Sequence, residues 1–147
     1  MANPVESANL LLKLYELRRE ETMRAARNFM FGFNPASAQE YMQAMMGPNS
    51  AYIRMVVSYW EMAASFVTNG AIDPKMFDDV NGEHIATFAK IEPILKDLRE
   101  TMQSPTLFKN LEQVCMGAPG GPERVRATGE RMKQMAAMRA AAPAQRV

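Results

Sequence analysis

The side chains able to do chemistry are few. His84 is the only histidine and Cys115 the only cysteine of the chain. A zinc or di-iron centre needs several ligands, usually including Glu-x-x-His pairs on bundle helices. No such pair occurs here, so no metal or cofactor is expected and His84 reads as a surface residue in the first turn of a helix. Cys115 shares an apolar helical face with Leu111 and Val114. A reactive thiol needs a base and positive surroundings, so a buried structural thiol is expected. The stretch Gly117–Gly121 precedes a helix start, where phosphates bind readily. It lacks the Lys and Ser/Thr of a P-loop and follows no strand, and it reads as a linker. No catalytic residue is assigned.

Glu61 is the carboxylate that stands out. It belongs to a segment, residues 50–69, whose polar residues Arg54, Ser58, Glu61, Ser65 and Thr68 are spaced 4, 3, 4 and 3 apart and form one narrow stripe. Tyr59, Trp60 and Met62 are its immediate neighbours in sequence. A lone carboxylate is costly to bury. The favoured reading is an ion pair with Arg19, Arg27 or Arg99, and Glu61, Trp60, Tyr59 and these arginines form the candidate pair or pocket. A solvent-facing stripe and a ligand or catalytic role remain open alternatives.

The elements that must position these residues are marked by their ends. Asn3-Pro4, Asn34-Pro35, Asp73-Pro74 and Ser104-Pro105 each place a capping side chain before proline. The cap accepts from an orphan amide, and proline at the first helical position has none to orphan. Gly121-Pro122 is a fifth case, and Gly32, Gly47, Gly70, Gly82 and Gly117 mark stops. Helical periodicity predicts helices at about 4–31, 35–46, 50–69, 74–81, 83–103, 105–116 and 122–141. Pro93 removes a bond to the Ala89 carbonyl and should kink the fifth. Helix 50–69 is apolar around most of its circumference, as a helix touched on several sides must be. The expected fold is all-α: a single-domain bundle of about five to seven helices around this central helix. Residues 1–116 form the bundle domain, 117–122 a Gly/Pro linker, and 123–147 a basic Met- and Ala-rich terminal helix and tail.

Composition fits this reading and excludes several functions. The chain has 147 residues, 48% hydrophobic and 22% charged, a balance for one globular domain rather than a disordered chain. The net charge of +1 disfavours nucleic acid. The charge is uneven, however. Residues 123–147 carry six basic and two acidic groups, a net +4, against −3 for residues 1–122. Arg124, Arg126, Arg131, Lys133 and Arg139 are therefore a candidate surface for an anionic partner. Arg54 and Glu61 interrupt the longest apolar run, Tyr52–Val67, so no membrane span is expected. Peripheral membrane contact is weakly supported, because the terminal helix lacks Trp and Phe on its apolar face. One cysteine allows no internal disulfide and no basic region precedes Leu10–Leu12, so a cytoplasmic setting is expected.

Tyr59-Trp60-Glu61-Met62-Ala63, Gly70, Ile72-Asp73, Phe88, Pro93-Ile94 and Arg99 together resemble an uncharacterised bacterial all-helical family of unknown function. The family's pattern is an aromatic-aromatic-Glu helix, a glycine turn with Ile-Asp, and a helix with an aromatic and a Pro-Ile…Arg ending. The resemblance covers residues 8–115 and implies a helical domain. Some such proteins carry a membrane helix before the domain, a setting not implied here. The functional expectation is a non-enzymatic protein acting through protein–protein contact, with a homodimer as one form. The alternatives are a small-ligand or enzymatic pocket around Glu61, and a tether to an anionic partner through the terminal helix.

Overall fold

The computed structural model describes residues 2–142. The end of the basic tail, residues 143–147 with Arg146, lies outside the described residues. These contain nine α-helices and one 3-10 turn, and no strand. In chain order the helices are α1 (Pro4–Arg18), α2 (Glu21–Gly32), α3 (Ala38–Met45), α4 (Ser50–Thr68), α5 (Pro74–Val80), α6 (Glu83–Ile91), α7 (Leu95–Thr101), α8 (Lys109–Gly117) and α9 (Gly121–Ala141).

Helix α4 is the hub. Neighbours α2 and α8 flank it most closely, and α3 and α6 also touch it. Ile53, Val56, Val57, Tyr59, Trp60, Ala63, Ala64 and Val67 are all buried. Ala63 and Ala64 have no exposed surface, and small side chains there let neighbouring helices approach closely.

Two expected helices are each divided in two. The segment 4–31 breaks at residues 19–20, because the Glu20 carboxylate turns back to accept from the Thr22 and Met23 amides at 3.0 and 2.8 Å. Glu20 thereby caps α2 and ends the continuity of the predicted helix. The segment 83–103 is interrupted by the 3-10 turn Glu92–Ile94, as the missing amide of Pro93 requires.

Two of the Pro-marked starts also move. Asn34-Pro35 does not open α3. Ser37 does, by accepting from the Glu40 amide at 3.1 Å, while Glu40 accepts from the Ala36 amide at 2.8 Å. This is a reciprocal cap close to the capping-box pattern. Ser104-Pro105 lies in a turn, and α8 starts four residues later, after Phe108 at φ 58°. Asn3 and Asp73 cap α1 and α5 as expected.

The stretch 117–122 is a tight corner, not a flexible linker. A Cβ at Gly121 would run into the backbone carbonyls of Cys115 and Met116. The corner turns α9 onto α6 and α8, burying Val125 and Thr128. The first half of the terminal helix therefore belongs to the body.

Candidate functional site

Glu61 is not paired with arginine. Its Oε1 accepts from the Asn110 backbone amide and from Asn110 Nδ2, both at 3.0 Å. Its Oε2 accepts from the Leu111 amide at 2.8 Å. Thr68 donates to Asn110 Oδ1 at 2.7 Å and completes the network. The cause lies in α8. That helix begins without a capping side chain of its own, and its orphan amides carry partial positive charge. A carboxylate one helix away satisfies two of them at once. Glu61 is thus a half-buried tertiary cap that joins α4 to α8.

The other members of the expected pocket are scattered. Tyr59 and Trp60 are buried away from Glu61. Tyr59 donates to the Leu14 carbonyl at 2.6 Å, and burial pushes its phenol up to about 12. Trp60 stacks edge-on against Tyr59, with centroids 4.9 Å apart. Arg27 donates from Nε to both oxygens of Glu83, at 2.9 and 3.1 Å, and from Nη1 to the Arg18 carbonyl. Arg99 donates to the Leu107 carbonyl at 2.8 and 3.0 Å and to Glu112 at 3.2 Å. Arg19 lies over the Tyr15 ring at 5.7 Å. The arginine that does reach Trp60 is Arg18, 5.1 Å above its ring and bonded to Asn81 at 2.6 Å. The heptad-like phase of α1 is the signal that separates it from Arg19, since Arg18 follows buried Leu14 by one turn.

His84 is a correction of another kind. It is 1% exposed, set between the Phe77 ring at 4.9 Å and the Trp60 ring at 5.7 Å. Its Nδ1 and the Trp60 Nε1 are both buried without a hydrogen-bond partner. Burial lowers the imidazole from 6.5 to about 4. Cys115 is buried, as expected, with its Sγ 3.9 Å from the His84 carbonyl. Burial pushes its thiol up to about 12. Both groups are therefore held neutral.

The basic residues of α9 divide into engaged and free-standing ones. Arg124 donates to both oxygens of Asp78, at 2.8 and 2.9 Å. Arg139 sits 4.0 Å over the Phe31 ring. Arg131 reaches Thr128 at 3.5 Å. Arg126 and Lys133 are exposed and line one hollow with Glu130. The expected anionic-partner surface is thus partly consumed by contacts with the body.

The richest concentration of positive charge is elsewhere, at the corner between α1 and α2. Arg18, Arg19, Arg24 and Arg27 line a hollow of about 330 Å³ closed on one side by Asn81 and Glu83. Arg24, Arg27 and Glu83 also line a second cleft of about 460 Å³ between α2 and α6. Among the described residues no group of three or more His, Cys, Asp or Glu side chains is placed to hold a metal ion. None of the described helices is long and apolar enough to cross a membrane.

With this geometry in place, residues 4–117 match the family model of the domain of unknown function DUF4760. The chain belongs to that family. The DUF4760 match spans α1 to α8 and stops at the corner before α9, although α9 packs on α6 and α8. No curated protein and no solved structure matches the chain.

Proposed function

We propose that this DUF4760 protein works by protein–protein contact rather than catalysis, and that its first contact is with a second copy of itself through α1. The observation that carries the reading is the outer face of α1. That helix touches chiefly α2 and α5, and leaves Val5, Leu12 and Tyr15 exposed at 69%, 63% and 52%. Together with Ala8 these residues recur at spacings of 3, 4 and 3, the seam of a coiled coil. In an antiparallel pair centred near Leu10, Val5 would face Tyr15 of the second copy and Ala8 would face Leu12. Each layer then sets a small side chain against a large one. The same pairing brings the acidic first turn, with Glu6, towards the basic last turn, with Arg18, and opposes the helix dipoles. Support for the non-catalytic part comes from His84 and Cys115, both buried and neutral.

One helix per copy is a small interface beside the roughly 1,200–2,000 Å² of stable complexes. The pair should therefore be weak, with dissociation in the micromolar range, about −8 kcal/mol at 1 μM. Sedimentation equilibrium across that range should show a monomer–dimer equilibrium that Leu12→Glu shifts to monomer without loss of helicity. A chain that stays monomeric throughout refutes the reading. A dimer indifferent to Leu12→Glu places the contact elsewhere and refutes the α1 seam.

A further inference from the structure

The cleft of about 460 Å³ between α2, α4, α6 and α9 has a chemistry distinct from the outer face of α1. Its volume lies within the roughly 300–1,000 Å³ of small-molecule sites. The floor is apolar. Met30 and Val56, both buried, and the half-buried Phe31 and Met132 form it. The walls carry three cations, Arg24, Arg27 and Lys90, and one carboxylate, Glu83. Arg27 already neutralises Glu83 through two bonds. Among the described residues, Arg24 and Lys90 form no ion pair.

Lys90 is the telling group. Its Nζ donates to the Phe33 carbonyl at 3.0 Å and to Asn34 Oδ1 at 2.9 Å. Both acceptors are neutral and belong to residues outside the lining of this cleft, and Lys90 also lines the adjoining hollow that holds Glu92 and Glu130. Neither carboxylate forms an ion pair with it, so the partly buried ammonium has no bonded countercharge. Removal from water lowers it to about 8. An ammonium has three protons to donate, and two are used. Burying a charge is costly unless it is paired, and an anion entering the cleft would pair it. The larger cleft beside α7 lacks this excess of positive charge, because Glu92, Glu100 and Glu112 outnumber Lys96 and Arg99 in its lining and Arg99 already bonds Glu112.

We propose that this cleft binds a small amphiphilic anion, with a carboxylate or phosphate head at Lys90 and Arg24 and an apolar body lying on Met30, Val56 and Met132. The terminal helix contributes Met132 to the floor, and Arg139 over Phe31 extends the positive rim. Helix α9 is therefore part of the site, although the family match ends before it.

The test is calorimetric titration of the full chain with monomeric decanoate and decyl phosphate as probes. Decanol, decyltrimethylammonium, inorganic phosphate and phosphatidylglycerol vesicles are the contrasting arms. Decanoate or decyl phosphate should bind, and Lys90→Met should weaken binding at least tenfold while the far-ultraviolet dichroism is unchanged. Ala86→Trp, which fills the cleft from α6, should do the same. If Lys90→Met does not fold, Arg24→Met at an exposed position replaces it, with a loss of several-fold. Failure of both anionic probes to bind overturns the proposal. So does equal binding of decanol or the cationic amphiphile, which would mean the head group is not read. Equal binding of inorganic phosphate would mean the floor is not used. Binding only to vesicles would assign the charge to a membrane surface. Unchanged affinity in the folded variants would place the ligand at another site. Each of these three results likewise overturns it.

Discussion

His84 gives the sharpest quantitative test of the core. Its ring is 1% exposed, packed against Phe77 and Trp60, and its Nδ1 has no partner. Burial is the dominant cause of its low pKa, and nearby Arg124 and Arg18 lower it further, while Asp78 opposes them. The folded state therefore prefers neutral imidazole, and the unfolded chain, with an ordinary value near 6.5, takes up the proton first. Above about pH 6.5 both states are neutral and stability does not change through this group. Below that, the unfolded state is increasingly favoured until the folded imidazole also protonates near pH 4. A fall from 6.5 to about 4 corresponds to about 3 kcal/mol at 1.36 kcal/mol per pH unit. Carboxylates also weaken the protein in acid, so the measurement must be a difference. Urea unfolding of wild type and His84→Phe, from pH 7 to pH 4, isolates the histidine. Phenylalanine fits between the same rings and carries no orphaned nitrogen. Wild type should lose about 3 kcal/mol more than His84→Phe over this range. Parallel pH profiles for the two proteins would refute the burial argument, since an imidazole that protonates freely in the fold contributes no such difference.

Glu61→Ala should cost about 2–4 kcal/mol, because it strands two amides of α8 and the Asn110 side chain, whereas Glu61→Gln keeps one acceptor and should cost about 1–2 kcal/mol. Equal urea midpoints for wild type and Glu61→Ala would remove the tertiary cap from the account. Truncation after Gly117 should leave a destabilised or unfolded chain, since it strips Val125 and Thr128 from α6 and α8. A truncated protein with the wild-type melting temperature would show that α9 is dispensable to the body.

The parts of the fold legible in the sequence are those fixed by local chemistry. Helix 50–69 announced its central place because polarity is confined to one stripe, and a helix so apolar cannot be solvated. Asn3-Pro4 and Asp73-Pro74 marked true starts, since the cap and the proline act on adjacent residues. The failures share a cause. At Asn34-Pro35 a stronger reciprocal cap, Ser37 with Glu40, stood two residues on. At Glu20 a charged residue inside a periodic run turned out to be a cap, and periodicity alone cannot distinguish a continuous helix from two helices in similar phase. Ser104-Pro105 lost its helix to a long-range device. Arg99 takes the Leu107 carbonyl, Phe108 adopts a left-handed conformation, and Glu61 replaces the local cap.

The same asymmetry governs the site. Sequence reasoning singled out Glu61 because a carboxylate on an apolar helix must be satisfied, and it is. What it could not supply was the identity of the partner, because backbone amides are present at every position and carry no signature. An arginine is visible in a sequence, whereas an uncapped helix start becomes visible only when the tertiary structure exposes it. His84 was misplaced for a related reason. In the first turn of α6 a histidine is ordinarily solvated, but α6 begins beneath Phe77 and Trp60, and the Gly82 turn before it carries its first residues into the core. The cleft at Lys90 had no local marker at all. Its residues come from α2, α4, α6 and α9, and range along the chain from Arg24 to Met132. Only the packing of α9 over α2 and α6 converts a set of unremarkable side chains into an apolar floor under an unpaired ammonium.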